Sequence, residues 1–302
     1  ARGANGVILI TTKRAKLGEA KVTVDAKWGS NSRATQDYEY ITAPAQYYEL
    51  YYQSLYNYGR FSGEIGGQGM SSAAANAWAN QNITAANSYG LAYNVYTLPT
   101  GQNLIGLNGK LNPNATLGRM ASYGGQDFWL YPDNWLDYTY KTSMRQEYNV
   151  SITQGTEKSN IMASVGYLKN EGIVVAKSQF ERFSARVAAD FQAKPWLKVG
   201  ASANYSHVVT DAMSSEGASN STGNLFAFAV GVPPIYPLFM RDGNKQIMLD
   251  AQNFPRYDYG AGLNAGLKRP VFPGSNAISD AQLNVSNTVR NVFSGTVFAE
   301  VR

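Results

Sequence analysis

The stretch Glu147-Tyr148-Asn149-Val150-Ser151-Ile152-Thr153 alternates polar and apolar residues, and the alternation runs on to His207. After the polar turn Gly155-Thr156-Glu157-Lys158-Ser159, Ile161, Ala163, Val165 and Tyr167 alternate with Asn160, Met162, Ser164 and Gly166. Phe183, Ala185, Val187, Ala189 and Phe191 then alternate with Arg182, Ser184, Arg186, Ala188 and Asp190. Beyond Lys194-Pro195, Leu197, Val199, Ala201, Ala203 and Tyr205 are set against Lys198, Gly200, Ser202, Asn204 and Ser206. A period of two sends successive side chains to opposite faces of a strand. The stretch therefore predicts four consecutive antiparallel strands, with one apolar face ending in aromatics and one polar face.

Such a sheet has two physical homes. In water, the apolar face covers a core and the polar face is solvated. In a membrane β-barrel, the apolar face meets lipid and the polar face lines a wet lumen. Strands of about ten residues, tyrosines at their ends, and short turns alternating with long loops favour the barrel. Lys21 to Trp28 extends the pattern: Val22, Val24, Ala26 and Trp28 fall on the apolar side, and Lys21, Thr23, Asp25 and Lys27 on the other. Near the end, Phe293, Gly295, Val297, Ala299 and Val301 restore it opposite Ser294, Thr296 and Glu300.

Composition narrows the function classes. The 302 residues include 29 glycines, 21 tyrosines and no cysteine, and carry a net charge of +5. Without cysteine there are neither disulfides nor thiolate metal sites. No run of about 18 apolar residues predicts a membrane helix. The opening Ala1-Arg2-Gly3 has no apolar run of the signal-peptide kind. The cationic residues are scattered, with one cluster at Lys13-Arg14-Ala15-Lys16, so a solvated linker is expected there and no nucleic-acid partner. Catalysis finds no support. His207 is the only histidine and is expected at a strand end in a polar or interfacial role. No serine pairs with it in a triad. Asp133 and Asp137 stand without a motif, and a metal site would need more ligands. Gly66-Gly67-Gln68-Gly69 lacks the strand before it and the lysine after it that a phosphate cradle needs, so no cofactor is expected.

Val7-Ile8-Leu9-Ile10 is a continuous apolar run, as in a strand buried on both faces, preceded by Gly3 and Gly6. Its partners are expected outside the sequence, and the chain reads as a piece of a larger protein. Arg2-Gly3-Ala4-Asn5-Gly6-Val7-Ile8-Leu9-Ile10-Thr11-Thr12-Lys13 resembles the end of the plug domain of SusC/RagA-like TonB-dependent outer-membrane transporters of Bacteroidetes. Tyr148-Asn149-Val150-Ser151-Ile152 with Gly155-Thr156-Glu157-Lys158 is similar to that family's early barrel. So are Gly166-Tyr167-Leu168, Glu171-Gly172-Ile173, Glu181-Arg182-Phe183 and Trp196-Leu197-Lys198-Val199-Gly200. The resemblance implies an all-β fold, part of a transmembrane antiparallel barrel of about 22 strands in the whole protein. Its divisions would be the end of a plug at 1–13, with Arg2, Gly3, Asn5 and Gly6 as its motif, a linker at 14–19, and barrel over 20–302. It further implies active import of oligosaccharides or oligopeptides across the outer membrane of a Gram-negative bacterium, powered by TonB–ExbB–ExbD. A SusD-like lipoprotein would act as lid, and the transporter–lid pair could form a dimer. A soluble all-β glycan-binding module or a passive porin are the competing readings of the residues.

Strand parity places the turns at 155–159 and 194–196 on the periplasmic side and the long segments 29–146 and 208–290 outside. The first is too long to lack internal structure. Thr42 is expected to cap a helix with Tyr48, Tyr51, Tyr52 and Leu55 on one face, and Ala73 to Ala86 predicts a second. Val232-Pro233-Pro234-Ile235-Tyr236-Pro237 is expected to be extended and outside any ladder. Asp242 in Arg241-Asp242-Gly243-Asn244 reads as a turn former. The aromatics Trp129, Tyr131 and Trp135, with Tyr236, Tyr257 and Tyr259, are candidates for contact with substrate or lid. Packing between loops is the plainer role for the first three.

Overall fold

The computed structural model describes residues 18–35, 38–62, 69–213 and 224–301. The plug-end motif, its Val7–Ile10 strand and most of the Gly63–Gly69 run lie outside the described residues. In chain order the elements are β1 (Gly18–Asn31), α1 (Pro44–Phe61), α2 (Ser72–Ile83), β2 (Tyr96–Thr97), β3 (Thr116–Leu117), β4 (Arg119–Tyr123) and β5 (Gln126–Leu130). A 3-10 turn at Trp135–Tyr138 precedes β6 (Ser143–Gly155), β7 (Ser159–Glu171), β8 (Gln179–Lys194) and β9 (Leu197–Met213). Then come α3 (Leu225–Gly231), α4 (Ala277–Leu283) and β10 (Val285–Val301). These elements fall into two units: β1 and β6 to β10 in one, and α1 to α4 with β2 to β5 and the 3-10 turn in the other.

The first unit is one antiparallel sheet in the order β1-β6-β7-β8-β9-β10. Directly paired residues share a face, so the register can be followed as rows across the sheet. One row runs Val24, Val150, Val165, Ala185, Tyr205, Phe293. The next residue along each strand gives Thr23, Ser151, Ser164, Arg186, Asn204, Ser294. The two faces predicted from period two are thus continuous over all six strands. Among the described residues no second layer covers the apolar face: Val24 is 68%, Val187 49% and Val297 83% exposed. A sheet in water would lose roughly 25 cal/mol for each Å² of apolar surface left in this way. Lipid removes that cost.

The connections fit their lengths. At the β6–β7 turn the Thr156 hydroxyl accepts from the backbone N–H of Ser159 (2.9 Å) and of Lys158 (3.2 Å), so one side chain closes the turn. At the β8–β9 turn the Gln192 amide donates to the carbonyls of Lys194 (2.8 Å) and Pro195 (3.3 Å), where Pro195 supplies no N–H of its own.

The strands run further than alternation alone predicts. β1 begins at Gly18, inside the expected linker, and continues to Asn31; β6 begins at Ser143, β9 reaches Met213 and β10 begins at Val285. The long segments are therefore 32–142 and 214–284, shorter than expected at both ends. Polar cross-strand bonds carry the extension. The Asp211 carboxylate accepts from Asn287 (2.6 Å) and Gln179 (2.9 Å) and pairs with Lys177 (2.9 Å). Within single strands, Lys169 pairs with Glu171 on β7 (2.9 Å) and Arg145 with Glu147 on β6 (2.9 Å).

The second unit packs α1 against α2 and a set of tight turns. The expected α1 face is present, with Tyr48, Tyr52 and Leu55 buried, while Tyr51 is half-buried and donates to the Tyr89 carbonyl (2.9 Å). Thr42 is not the cap. Ala43 occupies that position without a side-chain bond, because Pro44 starts the helix, where its missing N–H costs nothing. In α2, capped by Ser71, the Asn80 amide acts as a strand partner for Ile105, donating to its carbonyl and accepting from its N–H, both at 2.9 Å. Val232–Pro237 is not extended throughout: Pro233 to Tyr236 form a turn closed by the Tyr236 N–H on the Pro233 carbonyl (3.2 Å). Pro234 at the second turn position pre-sets the φ that such a turn needs.

A charge on the apolar face separates a membrane wall from a soluble sheet. Val187→Arg in the full-length protein is expected to cost about 2–4 kcal/mol at mid-bilayer and to abolish heat-resistant migration of the membrane-extracted protein on gels. Its neighbour Ala188→Arg, on the face with Met162 and Ser202, should leave migration intact. Equal effects at the two positions would refute the assignment of faces.

Candidate functional site

Three surfaces carry chemistry. The first is the apolar face of the sheet, which ends in an ordered line of aromatics. Trp28 lies in the row of Gln146, Lys169 and Glu181. Tyr148, Tyr167 and Phe183 lie one row further in, and Tyr205 and Phe293 one row beyond that. The hydroxyls bond to polar residues on the same face. Tyr148 donates to Gln146 (3.3 Å), Tyr167 to Glu181 (3.0 Å) and Tyr205 to Asn291 (3.0 Å). The Trp28 indole N–H donates to the Tyr148 hydroxyl (2.9 Å). Ring bodies toward the apolar rows and polar tips away from them is what a membrane–water boundary selects. His207 falls in this zone, within β9 and not at its end, with its Nδ1 2.7 Å from Asn291 Oδ1.

The second surface is the opposite face. Ser164, Ser184, Asn204, Ser206 and Ser294 surround Arg186 in a shallow depression, and Arg186 Nε is buried without a hydrogen-bond partner. Toward the other end of the strands, Lys198 and Asp190 pair at 2.8 Å, and Phe298 lies over Gly200, where a Cβ would come within 2.5 Å of its ring. The face is hydrophilic and hydroxyl-rich, as a water-filled lumen requires.

The third surface belongs to the second unit and holds the aromatic candidates. Their fates differ. Trp135 is 2% and Tyr236 0% exposed. The Trp135 indole donates to the Tyr236 carbonyl (3.0 Å), the Tyr236 hydroxyl donates to the Leu91 carbonyl (3.0 Å), and the Arg269 guanidinium lies over both rings at 5.5 and 5.8 Å. These two rings build the core. Trp129 is half-buried, with one edge against Gly118, whose φ of +102° suits glycine, and with the Lys245 ammonium 4.5 Å from its ring centre. Tyr131 is exposed beside Arg241; Tyr257 packs on Phe239 and donates to Gln282 (2.8 Å); Tyr259 donates to Ser279 (2.8 Å). The six residues do not converge on one pocket.

Three aspartates hold this unit. Asp133 accepts from the N–H groups of Leu238 (2.8 Å) and Phe239 (3.3 Å) and takes the Arg241 guanidinium as a fork at 2.6 and 3.0 Å. Asp242 forms its turn by accepting from Asn244 and Gln246 (both 2.9 Å). Asp258 is buried and accepts from the Tyr93 hydroxyl (2.9 Å), the Asn264 amide (2.9 Å) and the Gly260 N–H (2.7 Å). Burial raises its carboxyl above the usual range despite those donors and nearby Arg269, and burial likewise pushes Tyr93 far up and Arg269 down. Among the described residues no group of three or more His, Cys, Asp or Glu side chains could hold a metal ion.

A single-layer antiparallel sheet with an uncovered apolar face, an aromatic boundary and a hydroxyl-rich opposite face is a stretch of transmembrane β-barrel wall. Known proteins place it more closely. No family model matches the chain. Over 171 residues it is 27% identical to TonB-dependent receptor P26 of Formosa agariphila, covering 56% of this chain and 14% of that receptor. Solved structures of the RagAB peptide importer match with 18% identity, over 100% of this chain and 28% of theirs. Their TM-scores are 0.55 in the open-open state and 0.57 in the closed-closed state. The chain thus spans a small part of the proteins that it resembles, a receptor and an importer. The resemblance to SusC/RagA-like TonB-dependent transporters holds in sequence and in fold.

Asp133 and Asp258 can each be tested. Removing one partner of the buried Asp133–Arg241 pair, as in Asp133→Ala, is expected to destabilise the second unit by about 3–5 kcal/mol. Hydrogen exchange across 236–242 would read this out, and unchanged protection there would contradict it. For Asp258, a raised folded-state carboxyl means that the folded form takes up its proton at a higher pH than the unfolded chain. Stability conferred by that protonation is full at low pH and is lost as pH rises from about 4 through the raised value. Asp258→Asn should flatten this loss in thermal melts; an unchanged slope would show that Asp258 is not its source.

Proposed function

We propose that the chain is part of a TonB-dependent importer of oligosaccharides or oligopeptides in the outer membrane of a Gram-negative bacterium. The observation that carries this reading is the six-stranded wall itself. Among the described residues its apolar face is uncovered and bounded by aromatics, and the chain is similar in fold to the RagAB importer. Energy would come from TonB–ExbB–ExbD through a plug, the end of which the sequence of residues 1–13 resembles. The RagAB likeness supports a surface lipoprotein of SusD type as partner, closing over segments 32–142 and 214–284 from outside. The hydroxyl-rich face with Arg186 would line the lumen. Neither comparison points to an enzyme.

Epitope tags on the full-length protein test the orientation. The β4–β5 hairpin turns at Gly124-Gly125, both with positive φ, and a tag there should be labelled on intact cells lacking the lipoprotein. A tag at Glu157-Lys158 should be labelled only after the outer membrane is opened. Labelling of the second on intact cells would invert the topology. Growth on the imported nutrient should fail when TonB is deleted; TonB-independent uptake would leave a passive porin.

A further inference from the structure

One helix face in the second unit is built differently from the rest. Along α1, Gln46, Leu50, Gln53 and Asn57 recur at helical spacing and are exposed. With Glu49, Tyr56 and the loop Leu107–Lys110 they line a cleft of about 490 Å³. The Gln46, Gln53 and Asn57 carboxamides make no hydrogen bond within the protein among the described residues. On α2, by contrast, Asn76, Asn80 and Asn82 are all bonded internally. The cleft's charges cancel: Glu49 holds Lys110 at 2.8 Å and also accepts from the Leu111 N–H at 3.0 Å. The floor is fixed, since Tyr56 stacks on buried Tyr52 at 5.8 Å and Tyr52 accepts from Asn76 at 2.7 Å.

We propose that this cleft binds a neutral oligosaccharide. Each free carboxamide presents a donor and an acceptor side by side, which matches vicinal hydroxyls that both give and accept hydrogen bonds. Leu50 and Leu107, both exposed, offer apolar surface for the C–H faces of sugar rings. The volume lies within the range of small-molecule sites. A short peptide fits less well. Among the described residues the cleft has no strand edge for its backbone and no unpaired charge for its termini, because Glu49 and Lys110 satisfy each other. The inference rests on the importer reading for the cargo's role, and on the cleft alone for its chemistry.

The test is binding of the full-length protein, purified in detergent, to an array of neutral gluco-, manno-, galacto- and xylo-oligosaccharides of three to six units, with uncharged peptides of equal length alongside. Binding of at least one oligosaccharide series is expected. It should weaken about fivefold or more in Gln53→Ala and in Asn57→Ala, which remove one unmatched amide each from exposed helix positions that alanine suits. No bound oligosaccharide, binding unchanged in both variants, or peptide binding lost in the same variants would overturn the proposal. Uptake in cells separates the two readings. Nutrient import with an inert cleft leaves the importer standing without this site. Saccharide binding lost in the variants, in a protein that imports nothing, leaves the site without the importer.

Discussion

Every strand of the sheet is held sideways. The wall has no core beneath it among the described residues, so its order comes from backbone hydrogen bonds to the strand on either side. In lipid no water replaces a missing bond, and each unpaired backbone group costs several kcal/mol. Interior strands β6 to β9 satisfy both edges, whereas β1 pairs only with β6 and β10 only with β9 among the described residues. Register follows from the same requirement. A slip of one residue would put Arg186, Ser164 and Asn204 where Val187, Ala163 and Ala203 now face lipid. The two-faced pattern and the ladder therefore enforce each other.

The second unit solves the opposite problem. Its backbone is mostly turns, which leave many N–H and C=O groups without ladder partners. Buried and half-buried side chains take their place: Asp133 for Leu238 and Phe239, Asp258 for Gly260, Asn80 for Ile105, and Asn276 for the carbonyls of Leu238 and Asp258. This explains a composition rich in asparagine, aspartate and tyrosine in segments that carry little regular structure. Arg269 is the exception, buried with Nε and one Nη unpartnered and stabilised instead by the faces of Trp135 and Tyr236.

The wall was legible in the sequence because a period of two is a local signal, and the rows from Val24 to Phe293 fall as that period predicts. The ends of the strands were not legible. Asp211 looks like a loop residue until Asn287, 76 positions away, is known to lie beside it. The tyrosine spacing of α1 announced a helix, but Thr42 outranked Ala43 as a cap only while Pro44 was ignored. For the aromatic candidates the sequence marked the chemistry without the placement. Nothing near Trp135 or Tyr236 foretells that Arg269 will close over them. The free amides of α1 drew no notice in the sequence, because their lack of partners is a property of the folded unit alone.

The slanted line of rings has a geometric meaning. From Trp28 to Phe293 it drops by two rows, or four residues and about 13 Å along the strands, over five strand spacings of about 24 Å. If the line marks the plane where lipid meets water, the strands lean about 30° from the perpendicular to that plane, close to the tilt common in closed barrels. A strand leaning so crosses an apolar band about 25 Å tall in roughly nine residues. The strands here have 13 to 17. The surplus must stand clear of the bilayer as a collar, laced across β8, β9 and β10 by the bonds of Asp211 to Gln179 and Asn287 and its pairing with Lys177, so the wall keeps its shape where lipid no longer supports it.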